Sequence, residues 1–300
     1  MSRIDQAWRQ ASDPLIHDPD IAARGEEPSE AVLHQYPGEG GPSRPSAVPS
    51  RPPAAEAPER SPFRIVAAPR TAERGQFAPL HTALERKLVV SERAAPLAVE
   101  QYRQLAAALQ ELQVERGLKR LMITSALPND GRTLTAANIA LSLSEAAARR
   151  VLLIDADVRQ PSLHTLFRLP NACGLSDVLL SEHDDLALLQ VSPNLSVLPA
   201  GRPDLNTIAA LTSDRMEDLL EHLSGEFDWI LLDAAPVWFM PDAQLLARMT
   251  GAVLFVIGAG STPYPLVEKA IAAVGPESVV GTVLNRVVEE NIPAAGYATD

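Results

Sequence analysis

Two short runs constrain what this chain can become: Val151–Asp155, VLLID, and Trp229–Asp233, WILLD. Each sets apolar residues side by side and then ends on an aspartate. A strand with one wet face alternates apolar and polar side chains, so an unbroken apolar run predicts a strand covered on both faces. Further strands are predicted at Leu121–Ser125, Ala252–Ile257 and Val279–Asn285, with a weaker one at Leu195–Pro199. Between them lie helical segments: one opening at Arg132-Thr133 and running through TAANIALSLSEAAA, and others near Ser213–Ser224, Asp242–Met249 and Pro265–Val274. Alternating strand and helix predicts an α/β domain, a mostly parallel sheet with helices on both faces. In such a sheet ligands bind beyond the carboxyl ends of the strands.

The richest of those ends is LMITSALPNDGRT, Leu121–Thr133. Strand, turn-rich loop, then Gly, a basic residue, a hydroxyl residue and a helix is the layout of the phosphate-binding loop G-x-x-x-x-G-K-[ST]. Backbone N–H groups and the helix dipole favour an anion there. The hydroxyl of Thr133 suits Mg²⁺. Two positions depart: Ala126 stands where the first Gly belongs, and Arg132 where the Lys belongs.

The second strand end, LLIDADVRQP, carries Asp155 and Asp157, and the third, WILLDAAP, carries Asp233. Carboxylates beside a phosphate loop are suited to hold a nucleotide's Mg²⁺, directly or through water. An aspartate in this position also caps turns.

The rest of the chain is read more quickly. Residues 1–75 are Pro- and Ala-rich, as in PGEGGPSRPSAVPSRPPAAEAPERSP, and are expected to be a disordered tail or linker. A domain is expected over 76–290 and a short tail over 291–300. A short strand is expected at Lys87–Val90. Pro96–Arg116 has apolar residues at helical spacing, with Pro96 at its start and Gly117 at its end, and predicts an amphipathic helix. A net charge of −12 argues against a nucleic-acid partner. The single Cys173 excludes an internal disulfide and a Cys-based metal cluster. The N-terminus lacks an apolar signal-peptide core, and no apolar run approaches a membrane span, so a cytoplasmic location is expected.

Taken together, ITSALPNDGRTLTAANIALSLS, VLLIDADVRQPSLHTLFRLPNACGLSDVL and DWILLDAAPV resemble the three motifs of the bacterial tyrosine kinases of capsule and exopolysaccharide operons, in the MinD/ParA-like branch of P-loop ATPases. The resemblance covers about Pro96 to Val287. It implies a P-loop NTPase fold that binds ATP and Mg²⁺. The phosphates would lie on the backbone of Asn129, Asp130, Gly131, Arg132, Thr133 and Leu134. Thr133, Asp155 and Asp233 would hold the metal. Asp157 would accept the proton of an incoming tyrosine, Arg132 would act on the phosphate, and Asn285 and Arg286 would meet the base. The implied partner is a membrane polysaccharide co-polymerase, or chain-length protein, at the inner face of the membrane.

This chain departs from the family at several of these positions. Arg132 brings a planar fork in place of a compact ammonium, and losing one placed stabiliser typically costs ~10²–10³ in rate. Ala234 and Ala235 stand where the family has Thr-Pro. The tyrosine-rich tail is reduced to Tyr297. In the first helix Glu100 and Arg103 match the family's ring-forming pattern but Ala106 does not, which leaves self-association through that helix open. The favoured reading is a regulator with impaired or absent kinase activity. An active autokinase is the alternative, and a MinD/ParA-like positioning ATPase is a third reading, weakened by Ala126 where such loops carry a second lysine.

Overall fold

The computed structural model describes residues 63–67, 87–91, 93–146, 148–180, 185–202, 205–240 and 243–287. The chain divides into two units, 1–56 and 57–300, and every described residue belongs to the second. The expectations for 1–62, 68–75 and 291–300, with Tyr297, lie outside the described residues.

Among the described residues, eight strands form one sheet: β1 (Arg64–Ala67), β2 (Arg120–Ser125), β3 (Val151–Ala156), β4 (Asp185–Ser192), β5 (Leu195–Leu198), β6 (Trp229–Ala234), β7 (Val253–Gly258) and β8 (Val279–Asn285). Their order is β1-β4-β5-β3-β6-β2-β7-β8. The pairs from β5 to β8 are parallel, β4 runs antiparallel to β5, and β1 pairs parallel with β4. The helices are α1 (Pro96–Arg116), α2 (Arg132–Ala146), α3 (Leu163–Leu166), α4 (Leu175–Leu180), α5 (Leu205–Ala210), α6 (Asp214–Glu226), α7 (Ala243–Thr250) and α8 (Tyr264–Val274). Short 3-10 turns lie at Val237–Phe239 and Pro276–Ser278.

The unbroken apolar runs are explained by two separate cores. Alternate residues of one strand point into different ones. Leu152, Ile154, Ile230, Leu232 and Phe255 pack with Leu219, Leu223, Leu246 and Val267 of α6, α7 and α8. Their neighbours Val151, Leu153, Trp229, Leu231 and Leu254 pack with Ala106, Leu109, Ala137 and Leu141 of α1 and α2. Each such leucine, isoleucine, valine or phenylalanine, taken fully out of water, contributes about 1.5–3 kcal/mol.

Two expectations are corrected. Lys87–Val90 is a turn, not a strand. Asn138 of α2 clasps it, its Nδ2 donating to Lys87 O at 2.9 Å and its Oδ1 accepting from Val89 N–H at 3.0 Å. This clasp seats Leu88 in the core, fully buried. Within the Pro-rich stretch, Arg64–Ala67 forms β1. Phe63, just before it, is buried beneath the Arg215 guanidinium, 5.0 Å from ring centroid to Cζ, and beside the His222 ring. Composition averaged over 75 residues hides the short run Phe63–Ala67, whose one charged residue, Arg64, stays exposed.

Candidate functional site: a phosphate-type loop closed over three strand-end carboxylates

β6 lies between β3 and β2, with Asp155 in register with Asp233 and Ile123 in register with Asp233 on the other side. From β2 the chain crosses through α2 to β3, and from β6 it crosses through α7 to β7. These helices pack in opposite cores, so the connections part at this point of the sheet. A crevice opens at such a divergence. The loop 126–131 and the ends of β3 and β6 border it.

The loop is held from within, from the turn after β7 and from the end of β8. Asp130 is buried; its Oδ2 accepts from Leu127 N–H at 3.1 Å and its Oδ1 from the Thr262 hydroxyl at 2.6 Å. Its carbonyl accepts from Asn285 Nδ2 at 2.8 Å, while Asn285 Oδ1 accepts from Arg286 N–H at 2.9 Å. Asn129 has a left-handed φ of 66° and Gly131 a φ of 95°. A side chain at residue 131 would run into Asn285 Nδ2, so this position needs glycine for space as well as conformation. α2 starts at Arg132, and its first-turn N–H groups have no intrahelical partner. Leu134 packs against the core shared by α1 and α2.

Beyond the loop the three aspartates meet one arginine. Arg132, 8% exposed, donates through Nη2 to Asp157 Oδ2 and stands with Nε 3.6 Å from Asp233 Oδ1. Asp157 Oδ1 accepts from Gln160 N–H at 3.1 Å. Asp155 Oδ2 accepts the N–H groups of Ser162 and Leu163, both at 3.0 Å, whereas its Oδ1 receives no hydrogen bond. Neither oxygen of Asp233 has a hydrogen bond within normal distance, and both Asp155 and Asp233 are fully buried. The Thr133 hydroxyl lies 3.2 Å from the Ser162 hydroxyl and near enough to Asp233 to favour its charged form.

Burial, reinforced by the Asp233 carboxylate, pushes Asp155 up to about 8, against the opposing pull of the Leu163 and Ser162 N–H groups. Burial likewise raises Asp233 to about 6, with Arg132 and Thr133 pulling it down. Buried carboxylate oxygens without donors are groups that a cation would satisfy. Two carboxylates and a hydroxyl suit Mg²⁺, which takes one or two carboxylates and fills its octahedron with water and phosphate oxygens. Among the described residues there is no cage of three or more His, Cys, Asp or Glu that could hold a metal without such help.

No protein-family model matches the chain. Tyrosine-protein kinase YwqD of Bacillus subtilis is 32% identical over 206 residues, spanning 67% of this chain and 86% of YwqD. The chain belongs to the bacterial tyrosine-protein kinases. The succinoglycan biosynthesis transport protein ExoP of Rhizobium meliloti is 32% identical over 196 residues, 62% of this chain but only 25% of ExoP. Among solved structures, the kinase domain of Escherichia coli tyrosine kinase ETK matches with a TM-score of 0.60 at 29% identity, over 67% of this chain and 80% of that one. The BceF tyrosine kinase domain matches with a TM-score of 0.59 at 28% identity, over 72% and 92% of the two chains. The family is one of P-loop nucleotide-binding proteins tied to capsule and exopolysaccharide biosynthesis.

Of the residues expected from sequence, the structure brings Asn129, Asp130, Gly131, Arg132, Thr133, Asp155, Asp157 and Asp233 to this crevice. Asn285 reaches it as a strut of the loop, with both ends of its amide engaged. Glu100 accepts from Gln104 at 3.2 Å on α1. Sequence reasoning missed Ser162, whose N–H and hydroxyl meet Asp155 and Thr133, and Thr262, which holds Asp130. Ser162 was readable in the DxDxRxPS run. Thr262 lies far along the chain and carried no local signal.

Proposed function

We propose that the loop and the three aspartates bind ATP with Mg²⁺, and that the chain is a regulatory member of its family with impaired phosphoryl transfer. The single observation carrying this reading is the position of Arg132, committed to Asp157 and Asp233 where the family's loop lysine would serve the phosphates. The phosphates would lie on the backbone of residues 129–134, and Thr133, Asp155 and Asp233 would hold the metal, which supplies charge neutralisation to the β- and γ-oxygens. Asp157 is the group suited to take a tyrosine's proton, but its Oδ2 is occupied by Arg132. With nucleotide bound, the chain would act on a membrane polysaccharide co-polymerase from the cytoplasmic side. Among the described residues no helix is long and apolar enough to cross a membrane. The exposed Trp238 and Phe239, just beyond the end of β6, offer apolar surface for such a partner.

The test is calorimetric titration with ATP and Mg²⁺, run beside phosphotyrosine detection on the same sample. Binding without phosphotyrosine is the expected result; phosphate on Tyr297 at a rate typical of kinases would overturn the impairment. The active autokinase stands as a second reading because of one feature. A small apolar depression lined by Ala156, Val158, Ile208, Leu211 and Phe239, with Arg159 also in its lining, adjoins the residues flanking Asp157 and offers apolar contact to an incoming side chain. The positioning ATPase is disfavoured by Ala126, buried where its second lysine would be.

A further inference from the structure

Arg132 is the departure from the loop pattern and also the side chain that the strand-end carboxylates hold. Its Nη2 binds Asp157, its Nε faces Asp233 at 3.6 Å, and Nε makes no hydrogen bond. Asp155 Oδ1 and both oxygens of Asp233 are equally without donors in a fully buried setting. Carboxylates this deep need a cation to remain charged. In this chain a cation is attached to the backbone at residue 132. A lysine there would be a point charge on a flexible stem, free to swing to a phosphate, whereas the guanidinium is a rigid fork anchored at Asp157.

We propose that Arg132, anchored on Asp157, is the resident counter-cation of the carboxylate cluster and competes with the divalent metal for Asp233. Metal alone is therefore kept out, and it enters together with a nucleoside di- or triphosphate whose phosphate oxygens draw the guanidinium off the aspartates. This rests on the reading that the loop binds nucleotide. Its consequence is strong mutual dependence: nucleotide tightens metal, and metal tightens nucleotide by the same factor.

The experiment measures Mn²⁺, as a probe for Mg²⁺, by electron paramagnetic resonance on the full chain, with and without ADP. In wild type, ADP is expected to tighten Mn²⁺ by roughly 5–150-fold, the usual span of a coupling between two ligands. Arg132→Met should bind Mn²⁺ alone tighter than wild type by a similar factor, and Mn²⁺ should raise its melting temperature without nucleotide. Equal Mn²⁺ affinity in a folded Arg132→Met and wild type overturns the proposal. Should circular dichroism find Arg132→Met unfolded, Arg132→Lys decides in its place, because a mobile ammonium should also yield to Mn²⁺ more readily than the anchored fork. Equal affinity there overturns the proposal too. The two readings fail separately. Gain of Mn²⁺ in the variant with no ADP binding anywhere sinks the nucleotide reading and keeps the resident cation. ADP·Mn²⁺ binding in wild type with no gain in either variant does the reverse.

Discussion

Asp155 and Asp233 face each other from paired strands, and burial holds both carboxyls above their usual range, at about 8 and about 6. The folded state therefore binds these protons more tightly than the unfolded chain does. The stabilisation is complete below the unfolded carboxylate pKa near 4 and is lost as pH rises through the folded values, a tenfold gain in proton affinity being worth about 1.4 kcal/mol. Urea melts without metal should give an unfolding free energy that falls between pH 5 and pH 8, and ATP with Mg²⁺ should flatten that slope. A metal-free stability that rises over this interval would contradict the buried-carboxylate picture. At residue 132, Arg132→Lys restores a mobile point charge. ATP turnover, or labelling of Tyr297, should rise by at least tenfold towards the ~10²–10³ that a placed stabiliser supplies. Unchanged turnover in the folded variant would move the lesion elsewhere, with Ala234 the next candidate.

Among the elements, the loop between β2 and α2 depends on Gly131, where a side chain would displace Asn285 from Asp130 O. Gly131→Ala should cost about 1–3 kcal/mol in stability from backbone strain at φ 95° and abolish nucleotide affinity. Wild-type affinity in that variant would rule out the loop as the phosphate cradle. Asn138→Ala frees the turn over Leu88 by removing two hydrogen bonds and should cost about 1–3 kcal/mol in a chemical melt. These elements were legible in sequence to different degrees. β3 and β6 could be read because strands buried on both faces are apolar throughout, and α1 was predicted to its observed ends, Pro96 and Arg116. β4 was missed: its buried positions are interrupted by Asp185, Ala187 and Gln190, and its pairing with β5 is irregular between Gln190 and Ser192. The GLSDVL stretch, quoted for the family resemblance, is a docking piece in the structure. Leu175 and Ser176 N–H groups bond Pro199 O and Ala200 O, and Gly174 passes so close to that backbone that a side chain would not fit. The loop and the carboxylates were recognisable because their neighbours in sequence are their neighbours in space. The grip of Arg132 on Asp157 was not, because 25 residues separate them and pattern alone does not say which way a basic side chain turns.

For the whole molecule, the sheet is asymmetric. The site spans its centre, while β1 extends it at one edge through pairing with β4 and the stack of Phe63 under Arg215. A chain beginning at residue 57, where the second unit starts, should match the full chain in melting temperature and in ATP affinity. One beginning at residue 76 should lose roughly 3–5 kcal/mol, by analogy with deleting a large buried aromatic side chain, while still binding nucleotide. Equal stability of the two fragments would mean β1 contributes nothing. The central claim is that β2, β3 and β6 together build one nucleotide-metal pocket. The most direct measurement is calorimetric titration of the purified full chain with ATP and Mg²⁺, repeated on Asp155→Asn and Gly131→Ala. The expected result is one ATP per chain for wild type, with heat lost in Gly131→Ala and metal dependence lost in Asp155→Asn. A folded wild-type chain that takes up no ATP at any Mg²⁺ concentration, or binds it unchanged in both variants, would contradict it.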